Sequence, residues 1–200
     1  MAGRTNRPVR QPSRRAALLG AAGAAGLAVM PRISGAAVFS PARGEWPAYG
    51  GTNAAAKYSP LSQIDRSNVG QLRVAWTWDS PDAAIVAAHP GLQPGEFQAT
   101  PIMVGGVLYV STAMCQVAAI DAATGRTLWV QDPQTWRRPK PTQKGFMHRG
   151  VAYWSDGRDA RILIGTLDNR LIALDAKSGA KIKTCGKDGE VDLAAVGLQR

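Results

Sequence analysis

The segment 119–129 reads A-I-D-A-A-T-G-R-T-L-W, and a weaker copy, A-L-D-A-K-S-G-A-K-I-K, occupies residues 173–183. The match extends without a gap beyond this motif, since residues 107–112 align with 161–166. The offset is 54 residues throughout, the difference between 175 and 121. Because both copies keep one register, the pattern predicts a structural unit that recurs along the chain.

Each unit has the pattern of short strands joined by tight turns. Residues 107–110 and 117–120 are rich in β-forming side chains, and a short polar break separates them. Asp121 can accept hydrogen bonds from the amides of the next turn, and Gly125 can adopt positive φ without strain. In the strand that follows, Trp129 offers a large flat surface to a neighbouring sheet. A period near 50 residues built from short strands is typical of propeller blades, so we predict an all-β fold of the β-propeller type.

The distribution of charge excludes one class of partner. The net charge is +10, but six arginines lie before residue 37, in a stretch without any acid. Subtracting these six leaves +4 for the rest of the chain, without a basic stripe, so no nucleic-acid partner is expected. These six residues are Arg4, Arg7, Arg10, Arg14, Arg15 and Arg32.

The two cysteines have no metal-ligand spacing. Cys115 and Cys185 lie in different copies of the repeat, at positions that do not correspond. We expect two unpaired thiols, and a disulfide in an oxidising compartment remains the alternative.

Residues 1–36 have the features of an export signal. The sequence S-R-R-A-A-L-L at residues 13–19 resembles the bacterial twin-arginine motif, and a weakly apolar stretch follows at 16–30. That stretch is too short to span a hydrocarbon core of about 30 Å, and Ser34-Gly35-Ala36 suits a signal peptidase. We therefore predict a twin-arginine-type signal peptide at 1–36, with an uncleaved anchor or a basic tail as alternatives. The mature chain is expected to be periplasmic, without a transmembrane helix.

The remaining chain alternates strands with loops. Residues 72–78 alternate apolar and polar side chains and predict a strand, whereas 79–96 contains three prolines and predicts a loop. Gly105-Gly106 predicts a two-residue hairpin turn. The basic, proline-containing segment 132–145 is predicted to be an irregular insert, and 186–200 a terminal loop.

Several motifs together resemble the pyrroloquinoline quinone (PQQ)-dependent dehydrogenases, over residues 45 to about 198, and the resemblance is nearest to their glucose-dehydrogenase-like branch. The repeat motif A-x-D-x-x-T-G-x-x-x-W is one of them. The others are W-P-x-Y-G-G at 46–51, Y-S-P-L at 58–61, Q-I at 63–64, N-V at 68–69, A-W at 75–76, F-Q-A-T-P at 97–101 and H-R-G-V-A-Y-W at 148–154.

The resemblance implies an eight-bladed propeller with PQQ near its axis beside a divalent ion, usually Ca²⁺. It also implies hydride transfer from an alcohol or sugar carbon to the quinone, with an aspartate as general base. The electrons would pass to a respiratory acceptor, a cytochrome or ubiquinone.

Two cofactor contacts follow from the same resemblance. Arg149 matches an arginine that binds oxygens of the quinone, a role that suits a permanently charged fork with two donors. Gln98 stands where the family commonly has a glutamate that hydrogen-bonds the cofactor. The alcohol-dehydrogenase branch has adjacent cysteines before the arginine, whereas this chain has Gln143 and Lys144, which favours the sugar-type branch. His148 and Trp129 are expected to be structural.

The length predicts only part of such a ring. At 54 residues per blade, positions 37–200 hold about three blades, whereas closed propellers need at least about four. We therefore interpret 37–200 as the N-terminal part of a quinoprotein propeller. No catalytic residue and no metal ligand is assigned within it, and Asp156, Asp159 and Asp168 are read as turn residues. A non-catalytic propeller for binding or assembly, and a ring completed by several short chains, are the alternatives.

Overall fold

The computed structural model describes residues 44–138 and 145–197. The predicted signal peptide at 1–36 and the pair Gln143 and Lys144 lie outside these residues. None of the helices within the described ranges has the length and apolar character that a membrane span requires.

Two four-stranded antiparallel sheets dominate the described residues, and we call them blade one and blade two. In each blade the strands follow one another in chain order. Blade one contains β1 (Ile102–Val104), β2 (Val107–Ser111), β3 (Val117–Asp121) and β4 (Thr127–Gln131). Blade two contains β5 (Ala152–Ser155), β6 (Ala160–Gly165), β7 (Arg170–Asp175) and β8 (Glu190–Asp192). Two short α-helices accompany them, α1 (Asp82–Ala88) and α2 (Leu193–Gly197), together with 3₁₀-helices at Val69–Gln71 and Thr135–Arg137. The predicted all-β architecture is thus confirmed.

The two blades pack face to face through alternating apolar side chains of their strands. The main core cluster joins residues of both sheets, including Val117 and Ala119 of blade one and Ile162, Ile172 and Leu174 of blade two. All five are at most 1% exposed. Because successive side chains of a strand point to opposite faces, Ala118 and Ile120 of β3 lie on the other face of blade one, in a second core cluster with Val110.

The turn after β3 has the hydrogen bonds that the repeat motif predicts. Asp121 Oδ1 accepts from the backbone N–H of Thr124 at 2.8 Å and from its hydroxyl at 2.8 Å. These bonds, chiefly the one from the Thr124 side chain, lower the pKa of the exposed Asp121 carboxyl. Gly125 has φ +73°, where a side chain would be strained. Asp175, Ser178 and Gly179 repeat the arrangement in blade two.

A tryptophan lies against the glycine of each such turn. A Cβ on Gly125 would lie 2.6 Å from the ring of Trp76, and one on Gly179 would lie 2.6 Å from the ring of Trp129. Trp129 belongs to blade one and Gly179 to blade two, so the indole of Trp129 connects the two blades. The predicted packing role of Trp129 is confirmed.

The antiparallel order places the connections at two opposite ends of the blades. The short β1–β2, β3–β4 and β5–β6 connections and the longer β7–β8 connection begin at one end, which we call the hairpin end. The β2–β3 and β6–β7 turns and the segments that precede β1 and β5 lie at the other, which we call the loop end. The predicted inserts 79–96 and 132–145 both connect at the loop end. Long irregular segments on a rigid scaffold are where binding residues concentrate.

Three details differ from the sequence-based predictions. Residues 72–78 belong to no strand in the described part of the chain, although Trp76 and Trp78 pack on the second core cluster of blade one. The predicted loop 79–96 contains α1, and the predicted terminal loop 186–200 contains β8 and α2.

The late position of β8, within the predicted loop 186–200, arises because the chain leaves the sheet between Lys181 and β8. Lys181 bridges to Leu174, but the regular ladder with β7 resumes only where Ile172 pairs with Glu190. The Ile182 N–H still donates to the Ala173 carbonyl, and the Ala173 N–H donates to the Gly189 carbonyl. Residues 183–188 therefore leave the sheet between these two contacts, before β8 begins. Lys183 lies in that excursion, so the ungapped alignment of Lys183 with Trp129 does not hold in space.

Candidate cofactor-binding site

The two predicted cofactor contacts lie on neighbouring segments at the loop end. The backbone N–H of Thr100, just before β1, donates to the carbonyl of Arg149, just before β5, at 3.1 Å. Gly150 allows this approach, because its φ is +149° and a Cβ there would lie 3.3 Å from the Thr100 carbonyl oxygen. The fold thus brings the segment of Gln98 beside that of Arg149.

The side chain of Arg149 is exposed, and its positive charge has no carboxylate partner within the described ranges. The ion pairs formed there involve Arg138, Arg170 and Lys181 instead. A guanidinium that is not paired within the protein can receive two oxygens of an anionic ligand. The chemistry of this group therefore fits a cofactor that carries carboxylates and carbonyls.

Gln98 is also exposed, and its amide is oriented by an acid that the sequence reasoning missed. Its Nε2 donates to Glu96 Oε2 at 2.8 Å. An ionised carboxylate can only accept hydrogen bonds, so the amide nitrogen faces Glu96 and Oε1 remains as an acceptor. The acid two positions before Gln98 was the available signal in the sequence. As a result, a negative charge lies beside Gln98 although Gln98 itself carries none.

His148 precedes Arg149 and is held by three groups from both blades. Its Nδ1 lies 2.7 Å from Ser111 Oγ and 3.3 Å from the backbone N of Gly150. Its Nε2 lies 2.8 Å from the carbonyl oxygen of Gly165. Burial lowers the pKa of His148 from its ordinary value, against a smaller opposite effect of the Gly165 carbonyl. Both ring nitrogens are engaged by these contacts, which is consistent with the structural role predicted for this residue.

These partners define the tautomer of the imidazole. The Gly150 N–H can only donate and the Gly165 carbonyl can only accept, so the proton lies on Nε2 and Nδ1 accepts. The Ser111 hydroxyl then donates to the same Nδ1. A neutral ring satisfies all three partners, whereas a charged ring would direct a second N–H at the Gly150 N–H.

A buried acid supports the same end of blade one. Asp82, at the start of α1, is 5% exposed. It accepts from Thr112 Oγ1 at 2.6 Å, from Gln116 Nε2 at 2.7 Å and from the N–H of Met114 at 3.1 Å. These donors all belong to the β2–β3 turn. Because Asp82 lies in the insert 79–96, its hydrogen bonds attach this insert to the loop end of blade one. Nothing in the local pattern of the sequence identified this contact.

A second charged group stabilises the loop end of blade two. Arg170, at the start of β7, donates to Asp168 and Glu190, each at 2.8 Å, and to the carbonyl of Pro133 at 2.8 Å. A buried guanidinium with partners of this kind is a structural feature. Asp168 is thus a turn residue, as predicted, that also forms an ion pair.

No group of three or more His, Cys, Asp or Glu side chains in the described ranges could hold a metal ion. Asp156 and Asp159 lie in the β5–β6 hairpin, at the end opposite Arg149, where Asp156 Oδ1 accepts from backbone amides of the turn. Their predicted role as turn residues is consistent with these contacts.

The two successive four-stranded antiparallel sheets have the strand order of β-propeller blades. Residues 46–200 match the family model of the glucose/ethanol/alcohol dehydrogenase β-propeller domain. The chain belongs to this family of PQQ propellers, which confirms the resemblance found in the sequence.

The relatives with known names include enzymes of both branches. The chain is 42% identical over 142 residues to quinohemoprotein alcohol dehydrogenase ADH IIB of Pseudomonas putida, which covers 70% of this chain and 18% of that enzyme. It is 37% identical over 166 residues to quinoprotein glucose dehydrogenase of Gluconobacter oxydans, covering 74% of this chain and 20% of the relative. The chain thus spans about a fifth of the length of these relatives.

A solved structure supports the same relationship. Quinohemoprotein alcohol dehydrogenase of Comamonas testosteroni superposes with a TM-score of 0.56 at 33% identity, over 74% of this chain and 19% of that structure. Alcohol- and glucose-dehydrogenase relatives are both similar to this chain, so similarity alone does not choose between an alcohol and a sugar.

Proposed function

We propose that the protein contributes the Arg149 side of a PQQ site in a periplasmic dehydrogenase that oxidises a sugar or an alcohol. The observation that carries this proposal is the exposed guanidinium of Arg149, which has no carboxylate partner in the described ranges and lies at the loop end beside the segment of Gln98. Membership of the PQQ propeller family supplies the chemical identity of the ligand.

The residues of the chain would bind and orient the cofactor. Arg149 would form two parallel charge-assisted hydrogen bonds to a carboxylate and a carbonyl oxygen of PQQ. Gln98 would contribute one neutral hydrogen bond through its amide, held in place by Glu96. When bound, PQQ supplies a quinone that accepts a hydride from the carbon that bears the hydroxyl group.

The family resemblance also implies Ca²⁺ and a general-base aspartate. The described residues offer no set of ligands for the ion, and no residue among them is assigned as the base. We expect that the 200-residue chain alone does not oxidise glucose or an alcohol in a dye-linked assay with added PQQ and Ca²⁺. Turnover under those conditions would contradict this expectation.

The type of substrate and the route of export are inferred from the sequence. Gln143 and Lys144 in place of adjacent cysteines favour a sugar over a simple alcohol. The arginine pair and apolar stretch of residues 1–36 favour twin-arginine export to the periplasm. There a cytochrome or ubiquinone would take the electrons.

Binding of PQQ tests the proposal directly. Titration of the protein with PQQ, followed by quenching of tryptophan fluorescence, should give an affinity that falls roughly a hundredfold in Arg149→Ala, because two charge-assisted hydrogen bonds are lost. Arg149→Lys should recover only part of the loss, since a lysine cannot bind two oxygens as a fork.

Arg158→Ala is the matched control, because Arg158 is an exposed arginine in the hairpin at the opposite end. It changes the net charge by the same amount and should leave the affinity for PQQ unchanged. Equal affinities in wild type and Arg149→Ala would overturn the proposed function.

A further inference from the structure

We propose that His148 is a positioning residue for Arg149. The imidazole hydrogen-bonds to both blades and to the peptide that follows Arg149, and these bonds hold the arginine in the orientation that binds the ligand. This inference rests on the proposed function of Arg149. It goes beyond it by giving a specific role to a neighbouring residue that does not itself contact the cofactor.

The first support is the geometry of the peptide that carries Arg149. His148 Nδ1 accepts from the N–H of Gly150 at 3.3 Å, which closes a small turn around Arg149. On the other side, the Arg149 carbonyl accepts from the N–H of Thr100 at 3.1 Å. The backbone of Arg149 is therefore held from both sides, while its side chain remains exposed.

The second support is the position of the imidazole between the blades. Ser111 ends β2 of blade one, and Gly165 ends β6 of blade two. The ring bonds to the Ser111 hydroxyl at 2.7 Å and to the Gly165 carbonyl at 2.8 Å. The position of Arg149 therefore depends on the distance between the two sheets as well as on the conformation of its own loop. Functional groups need this kind of supporting contact to stay within a fraction of an ångström of their productive geometry.

The third support is that the hydrogen bonds are directional. Only the neutral ring with its proton on Nε2 satisfies Gly150, Ser111 and Gly165 together. Long-range ¹H–¹⁵N NMR of the imidazole at neutral pH should therefore show protonated Nε2 and unprotonated Nδ1. A signal from the Nδ1–H tautomer would overturn the proposal.

Substitutions of His148 separate positioning from folding. His148→Ala should weaken PQQ binding roughly tenfold, through the loss of hydrogen bonds on both sides of the ring. In His148→Asn the amide oxygen can take the place of Nδ1 but does not reach Gly165. This variant should therefore bind within about threefold of wild type, as expected for one net hydrogen bond lost.

A variant that is destabilised elsewhere in the blade interface tests whether loss of stability alone weakens PQQ binding. Trp129→Phe loses a hydrogen bond of the same blade interface at the hairpin end, far from Arg149 along the strands. It should lower the midpoint of urea unfolding but leave the affinity for PQQ unchanged. If Trp129→Phe weakened binding as much as His148→Ala, the effect of His148 would be general destabilisation, and the proposal would be wrong.

The outcomes also separate this inference from the proposed function. If Arg149→Ala and His148→Ala both bind PQQ like wild type, the proposed function fails and the inference fails with it. If Arg149→Ala binds weakly and His148→Ala binds like wild type, the proposed function stands and only the positioning role is lost.

Discussion

Trp129 Nε1 donates a hydrogen bond to the carbonyl oxygen of Ala176 at 3.1 Å, which links β4 of blade one to the turn after β7 of blade two. The same oxygen accepts from the buried hydroxyl of Tyr109 at 3.2 Å. Trp76 forms the equivalent bond to Ala122 at 3.2 Å. The repeat in the sequence thus corresponds to a repeat of contacts between successive units.

Removing the donor of Trp129 should weaken the contact between the blades. Trp129→Phe keeps most of the flat surface but loses the bond to Ala176, so we expect the free energy of unfolding to fall by about 1 kcal/mol. Urea denaturation followed by circular dichroism measures this change. Tyr58→Phe removes a polar group from an aromatic side chain that is 67% exposed, and it should have no effect. A similar loss in both variants would contradict the assigned role of Trp129.

Adding a methyl group to the turn glycine should be more damaging. In Gly125→Ala the new Cβ would lie 2.6 Å from the Trp76 ring at a backbone φ of +73°. The left-handed conformation alone costs about 1–2 kcal/mol, and the clash adds to it. Gly70→Ala is the control, because a Cβ there meets nothing within 4 Å. Unchanged thermal stability of Gly125→Ala would show that the tryptophan does not lie on this turn.

Stability should decrease in mildly acidic solution because of His148. The folded protein lowers the pKa of this imidazole, so the unfolded chain binds a proton at higher pH than the folded one. The stabilising contribution is therefore complete above the ordinary histidine pKa of about 6.5, and it is lost as pH falls from there to the lower folded value.

The pH dependence has a matched comparison. Unfolding midpoints measured between pH 7.5 and about 5, below the ordinary histidine range, should fall less steeply in His148→Asn than in wild type. The exposed carboxyls of Asp121 and Asp175 also have lowered pKa values, but their effect appears at more acidic pH, and it is common to both proteins. Parallel curves would contradict the neutral state of the half-buried His148.

The two thiols should differ in reactivity. Both cysteines are free, as predicted, but Cys115 is buried whereas Cys185 is partly exposed. Burial raises the pKa of Cys115 to about 11, so its thiolate is scarce at neutral pH. A thiol reagent at pH 8 should modify one cysteine in the folded protein and two after denaturation. The variant Cys185→Ser should lose the fast reaction, and retention of it would place the reactive thiol at Cys115.

The sequence predicts the repeated parts of this structure well, because their signals are local. Asp121, Gly125 and Trp129 each have a physical role within a short stretch, and the copy at Asp175 and Gly179 repeats the turn. The hairpin at Gly105-Gly106 is equally local. Its φ angles are +60° and +75°, as a two-residue turn with positive φ requires.

Contacts between distant segments could not be predicted in the same way. The bonds from the β2–β3 turn to Asp82 join residues at least 30 positions apart, and no periodicity reports them. The bond from Ser111 to His148 spans 37 positions. The sequence identified Arg149 and Gln98 only through family resemblance, whereas their proximity depends on the backbone contact between Thr100 and Arg149. Glu96 was missed because its role depends on how the amide of Gln98 turns.

The separation of the two ends has a practical consequence for attaching the protein to a surface. Gly157 and Arg158 are exposed in the β5–β6 hairpin, away from the end that presents Arg149. A linker or conductive tether fixed at that hairpin would direct the opposite end toward the bulk solution. Small solutes could then diffuse to the arginine without obstruction from the support.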